Sequence, residues 1–131
     1  MKTTKKITFT VEKTSTGYSA YAQYKDNGFG ITGGTYQELK DNILEAVNLV
    51  LEDEKRTATL NDIELRIDLS QFFDFYKELN AKGIAERAGM NQSLLAQYVS
   101  GVKKPSPKQV QRILASIRSL GQEMAGLDVV G

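Results

Sequence analysis

Ile7, Phe9 and Val11 alternate with Thr8, Thr10 and Glu12, the period-two pattern of a strand with one buried face. Thr14 to Gly17 supplies turn residues, and Tyr18 to Tyr24 alternates again with three tyrosines. Asp26-Asn27-Gly28 reads as the next turn and Phe29 to Ile31 as a third strand, so the opening segment predicts an antiparallel meander. Thr35 and Glu38 have the spacing of a capping box. The helix they open carries Leu39, Ile43, Ala46, Val47, Val50 and Leu51 on one face. Residues 52–57 form a polar connection, after which Ile63, Leu65 and Ile67 alternate with Glu64, Arg66 and Asp68, suggesting a strand that closes or edges the sheet.

The period then changes. From Leu69 onward the apolar positions recur at helical spacing, first as Leu69, Phe72, Phe73, Tyr76 and Leu79. Residues 80–83 read as a break and Ile84 to Ala88 as a short helix ended by Gly89. Asn91 is a natural N-cap for a helix over Gln92 to Val99, which Ser100-Gly101 ends. Ser106, Pro107 and Gln109 have the capping-box spacing, with Pro at the first helical position of a long last helix. The expected fold class is α+β: a small antiparallel sheet covered by one helix, followed by an all-α helix-turn-helix domain. The division is expected at residues 1–56 and 69–131, with the strand at about 63–68 completing the first sheet.

Charge sharpens this division. The 131-residue chain has a net charge of only +1. Yet from Lys82 to Arg118 the ionisable residues are Lys82, Arg87, Lys103, Lys104, Lys108, Arg112 and Arg118 against Glu86 alone, a net +6. A local basic field on a helical pair suits phosphate contact by one region only. On the helix from Gln92, inward Leu95, Tyr98 and Val99 leave Gln92, Ser93, Ala96 and Gln97 outward. Gln can bond adenine bidentately, and Ser can reach a base edge or a phosphate. Asn91, Gln92, Ser93 and Gln97 are therefore candidates for base or near-base contact, and Lys82, Arg87, Lys103 and Lys104 for phosphate. Leu94 has no assigned role at this level.

The chain has no Cys and no His, so thiolate chemistry, zinc ribbons and the usual general base are absent. Glu12 and Asp26 read as surface and turn residues in preference to a magnesium pair, and no enzyme activity, metal or cofactor is expected. Tyr18, Tyr21 and Tyr24 are candidate partner-binding residues, although any of them could instead hold the sheet together. Met1 to Lys6 leads directly into the first strand without a signal-peptide core, and no apolar run is long enough for a membrane span, so a cytoplasmic location is expected.

Two resemblances add to this. The AERAG of residues 85–89, the helix from Asn91 ending in YVSG, and KKPSPKQVQRI resemble the helix-turn-helix of the phage-repressor (XRE-type) family. Separately, GYSAYAQYKDNGFGITGGTYQELKDNILEAVNLVLED is similar to the amino-terminal domain of HicB antitoxins, a degenerate ribonuclease H-like unit, and the two segments stand in the HicB order. Gly34 departs from the family, which commonly has an acidic or polar residue before the Thr. The resemblance implies an antitoxin that binds a HicA-type ribonuclease toxin through its first domain and represses its own operon by binding operator DNA through its second. It also implies a homodimer or higher oligomer. The residues leave a second reading open: a stand-alone helix-turn-helix regulator with an amino-terminal ligand-sensing or protein-interaction domain.

Overall fold

A computed structural model describes residues 6–130; the reading of Met1 to Lys5 as lacking a signal-peptide core lies outside them. The chain divides after Asp68 into two compact units.

The first unit is α+β. Strands β1 (Ile7–Thr14), β2 (Gly17–Tyr24) and β3 (Asn27–Gly33) form the meander, α1 (Tyr36–Leu51) follows, and β4 (Ile63–Ile67) returns to the sheet. Strand order is β3-β2-β1-β4. The sheet is not purely antiparallel: β4 runs parallel to β1, with Ile7 opposite Ile63 and Val11 opposite Ile67. A parallel neighbour needs a long crossover, which α1 supplies, and the alternation of Ile63 to Ile67 carried no information on direction. Asn48 of α1 pins the connection, accepting from the buried Ala58 N–H at 2.7 Å and donating to its carbonyl at 3.3 Å. Thr59 and Asp62 then form a capping box that leads the chain into β4.

Phe9, Val11, Ala20 and Phe29 from the sheet meet Leu39, Ile43, Val47 and Leu51 of α1 in one core. Thr35 caps α1, its hydroxyl accepting from the Glu38 N–H at 3.0 Å. Gly33 is indispensable to this packing, since a Cβ there would lie 2.4 Å from the Leu39 nitrogen. The β2–β3 turn falls one residue earlier than expected: Lys25 and Asp26 make it, while Asn27 and Gly28 belong to β3. Lys25 adopts a left-handed conformation (φ 54°), a cost to a residue with a Cβ. Its ammonium is anchored 3.0 Å from Glu54.

The second unit is helical: α2 (Leu69–Phe75), α3 (Ala81–Ala88), α4 (Gln92–Ser100) and α5 (Pro107–Ala125). Its core joins Leu69, Phe73, Ile84, Ala85, Met90, Leu95, Tyr98 and Ile113. Residues 80–83 are not a break but the start of α3. Asn80 caps it by accepting from the Gly83 N–H at 3.0 Å, so the glycine lies in the first turn, where its low helix propensity costs least. Ser106 caps α5 with Pro107 at its first position. Among the described residues no helix is long and apolar enough to cross a membrane.

Candidate nucleic-acid interface

The turn between α3 and α4 depends on Gly89, whose φ of 65° is left-handed. Its N–H bonds the Glu86 carbonyl at 3.1 Å, and the Met90 N–H bonds that of Ala85 at 2.9 Å. Arg112 of α5 completes the turn from outside. Its Nε donates to the Ala88 carbonyl at 3.1 Å and an Nη to the Gly89 carbonyl at 2.8 Å. These carbonyls end α3, where a cation is favoured by the helix dipole and by orphaned acceptors. In the sequence Arg112 was one charge among seven. Its spacing along α5 gives no sign that it turns back onto α3.

α4 begins at Asn91, whose Oδ1 accepts from the N–H groups of Ser93 (2.8 Å) and Leu94 (3.2 Å). Cap formation thus occupies the acceptor of Asn91 and leaves only its amide NH₂ to reach outward. Leu95 and Tyr98 are buried, and Val99 and Leu94 pack against the same core. That gives Leu94 its place, as packing. Gln92, Ser93, Ala96, Gln97 and Ser100 are all exposed. At 100° per residue they span an arc of about 140° opposite the buried side. The arc is uncharged, small in the middle at Ser93 and Ala96, and flanked by two glutamines. Gln92 donates weakly to Glu86 at 3.5 Å, and the Gln97 carbonyl receives both the Lys103 N–H and the Ser100 hydroxyl at 3.2 Å.

The cations divide into two groups. Arg87, expected at a phosphate, is exposed and forms an ion pair with Glu123 of α5. This hydrogen bond raises the Arg87 pKa further and holds the Glu123 carboxyl below the ordinary carboxylate range. Arg87 and Arg112 are exposed yet tie α5 to α3, whereas Lys82, Lys103, Lys104 and Lys108 are exposed around the ends of α3, α4 and α5 and Arg118 is exposed farther along α5. Lys103 and Lys104 follow the Gly101 C-cap of α4 directly.

In the first unit the three tyrosines do not share a surface. Residues i and i+3 of a strand point to opposite faces, which separates Tyr21 from the other two. Tyr18 lies on the α1 side, edge-on to Tyr36 with centroids 5.4 Å apart and Lys13 Nζ 4.8 Å over its ring. Tyr24 donates to Glu54 at 3.2 Å in a cluster with Lys25 and Arg56. The Lys25 hydrogen bond holds the Glu54 carboxyl below its usual range. Tyr21 alone stands on the open face, between Thr10 and Gly30 in the register, with 49% of its surface exposed.

No family model matches the chain, and no curated protein or solved structure is significantly similar to it.

Proposed function

We propose that this protein is a non-enzymatic, two-domain antitoxin and autorepressor, a helix-turn-helix DNA reader joined to a HicB-like partner-binding unit that takes a HicA-type ribonuclease toxin. The observation that carries the DNA half is the outward arc of α4. A neutral face of Gln92, Ser93, Ala96 and Gln97, bordered by exposed lysines and held on a turn braced by Arg112, has the shape and charge required by a major groove. In this reading Gln92, Gln97 and Ser93 read base edges and Lys82, Lys103 and Lys104 hold phosphates. Asn91 caps the reading helix, and Arg87 ties α3 to α5. A dimer sets two such helices one DNA turn apart on an inverted repeat. For the partner half, the support is the α+β unit itself, a mixed sheet layered with one helix that is compatible with the ribonuclease H-like expectation, together with the resemblance of its strand and helix motifs.

Co-expression with the adjacent open reading frame tests the partner half: a complex that relieves toxicity of the neighbour supports it, and a harmless neighbour that forms no complex refutes it. For the DNA half, Gln92→Ala with Gln97→Ala is expected to weaken operator binding by about tenfold or more while nonspecific binding changes little. Equal losses on both duplexes would rule out base readout by this pair.

A further inference from the structure

β3 lies at the edge of the sheet and lacks the devices that usually protect an edge. Its residues, Asn27–Gly33, include no charge and no proline, and its register with β2 runs without a bulge from Tyr24↔Asn27 to Tyr18↔Gly33. The opposite edge, β4, carries the Glu64–Arg66 pair. Because Lys25 and Asp26 form a two-residue turn, Tyr24↔Asn27 is the closing hydrogen-bonded pair of the hairpin. Alternate pairs are then unbonded, which turns the main-chain groups of Gly28, Gly30 and Thr32 outward. Asn42 of α1 agrees, since its amide reaches the Thr32 carbonyl at 2.9 Å. At Gly30 nothing lies within 4 Å of where a Cβ would stand, and at Gly28 only the Gln23 Oε1 does, at 3.5 Å. Gly28 and Gly30 are both exposed, and neither is covered on the sheet face where a side chain would stand.

The flank of α1 above this edge is acidic. Glu38, Glu45 and Leu49 share the helical track of Asn42, and all three are exposed, Leu49 by 65%. No Lys or Arg falls on that track, and the Glu38 carboxylate lies by Gly34, directly after β3. We propose that the outer edge of β3 accepts an extended segment of a basic protein as a fifth strand. The main chain of that segment bonds Gly28 and Gly30, as in strand addition generally. Its Lys or Arg side chains on the helix side meet Glu38 and Glu45. On the open face, an apolar side chain opposite Gly30 lies beside the exposed ring of Tyr21, across the gap left by the glycine. A second copy of this chain suits the edge poorly: pairing two β3 strands about a two-fold axis sets both acidic α1 flanks on one side of the joined sheet. The inference deepens the partner-binding half of the reading above by naming its surface.

The test is an NMR titration of the full ¹⁵N-labelled chain with two nine-residue peptides, one alternating Lys with Val and one alternating Glu with Val. The basic peptide is expected to shift the amides of Gly28, Gly30 and Thr32 and slow their exchange, and the acidic peptide to leave them unchanged. Gly30→Pro removes an N–H that β2 does not use and blocks the lane, so binding should be lost with the β1–β2 amide spectrum retained. Glu38→Gln with Glu45→Gln should weaken the basic peptide by about tenfold, and this second variant decides the matter if Gly30→Pro does not fold. Absence of shifts at those three amides, equal binding of both peptides, or shifts centred on α4 overturns the proposal. The peptides need no toxin, so a neighbouring gene product that fails to bind overturns the antitoxin reading without touching this result.

Discussion

Arg112 offers the sharpest test of how α4 is held. Arg112→Met keeps the apolar stem and removes both hydrogen bonds to the carbonyls of Ala88 and Gly89. A hydrogen bond from a charged donor contributes about 1.5–3 kcal/mol when buried, but Arg112 is exposed, and solvent competes for both acceptors. Discounting each bond to about 0.5–1 kcal/mol gives a loss of about 1–2 kcal/mol. For a unit of this size that corresponds to a fall in Tm of about 4–16 °C. Thermal unfolding followed by circular dichroism reads it, with Lys108→Met as the control. Lys108 is exposed on the same helix, one turn earlier, and its replacement removes the same charge. The brace also predicts that Arg112→Met weakens operator binding more than Lys108→Met does, because only the former frees the turn that aims α4. Equal melting of the two variants, or a wild-type Tm for Arg112→Met, refutes the reasoning.

The remaining expectations concern other parts of the second unit. Lys103→Ala with Lys104→Ala should weaken binding to operator and random duplex alike and reduce the slope of log affinity against log salt by about two; a sequence-dependent loss contradicts a phosphate role. Ser116 is buried on α5 and its hydroxyl has no hydrogen-bond partner in the protein, so Ser116→Ala should stabilise by about 1 kcal/mol in urea unfolding, and destabilisation would show the hydroxyl to be satisfied. The Glu123 carboxyl is depressed in the folded state by Arg87, so the pair's stabilisation is complete above the ordinary glutamate range and is lost as pH falls through the folded-state value. Glu123→Gln should flatten that part of the acid-unfolding curve, and a curve identical to wild type would discount the pair.

Most elements were legible because their signals are local. The alternation around Phe9 and the helical stripe from Leu39 to Leu51 report which face of each element is buried, and burial drives both patterns. Caps are local too: the Thr35, Asn91 and Ser106 side chains each bond an N–H two or three residues along. Turn placement was less legible at Lys25, where a residue with a Cβ takes a left-handed conformation anchored by a Glu nearly thirty positions away. Gly83 misled for a related reason. Glycine breaks helices in their interiors, but within one turn of the Asn80 cap its effect is small.

The sequence alone determined the α+β-then-α order of elements, the outward residues of α4, and the concentration of positive charge around them. These follow from periodicity and composition along one stretch of chain. Only the tertiary structure decided which of these exposed charges also brace the fold. Arg87 and Arg112 look like Lys103 and Lys104 in the sequence, but partners 36 and 23–24 residues away hold them against neighbouring helices. Likewise the sequence shows three tyrosines in β2, and the sheet separates them, because strand pairing sets which neighbours each face meets. The same pairing places the uncharged β3 at an edge, a position that no residue of β3 records by itself.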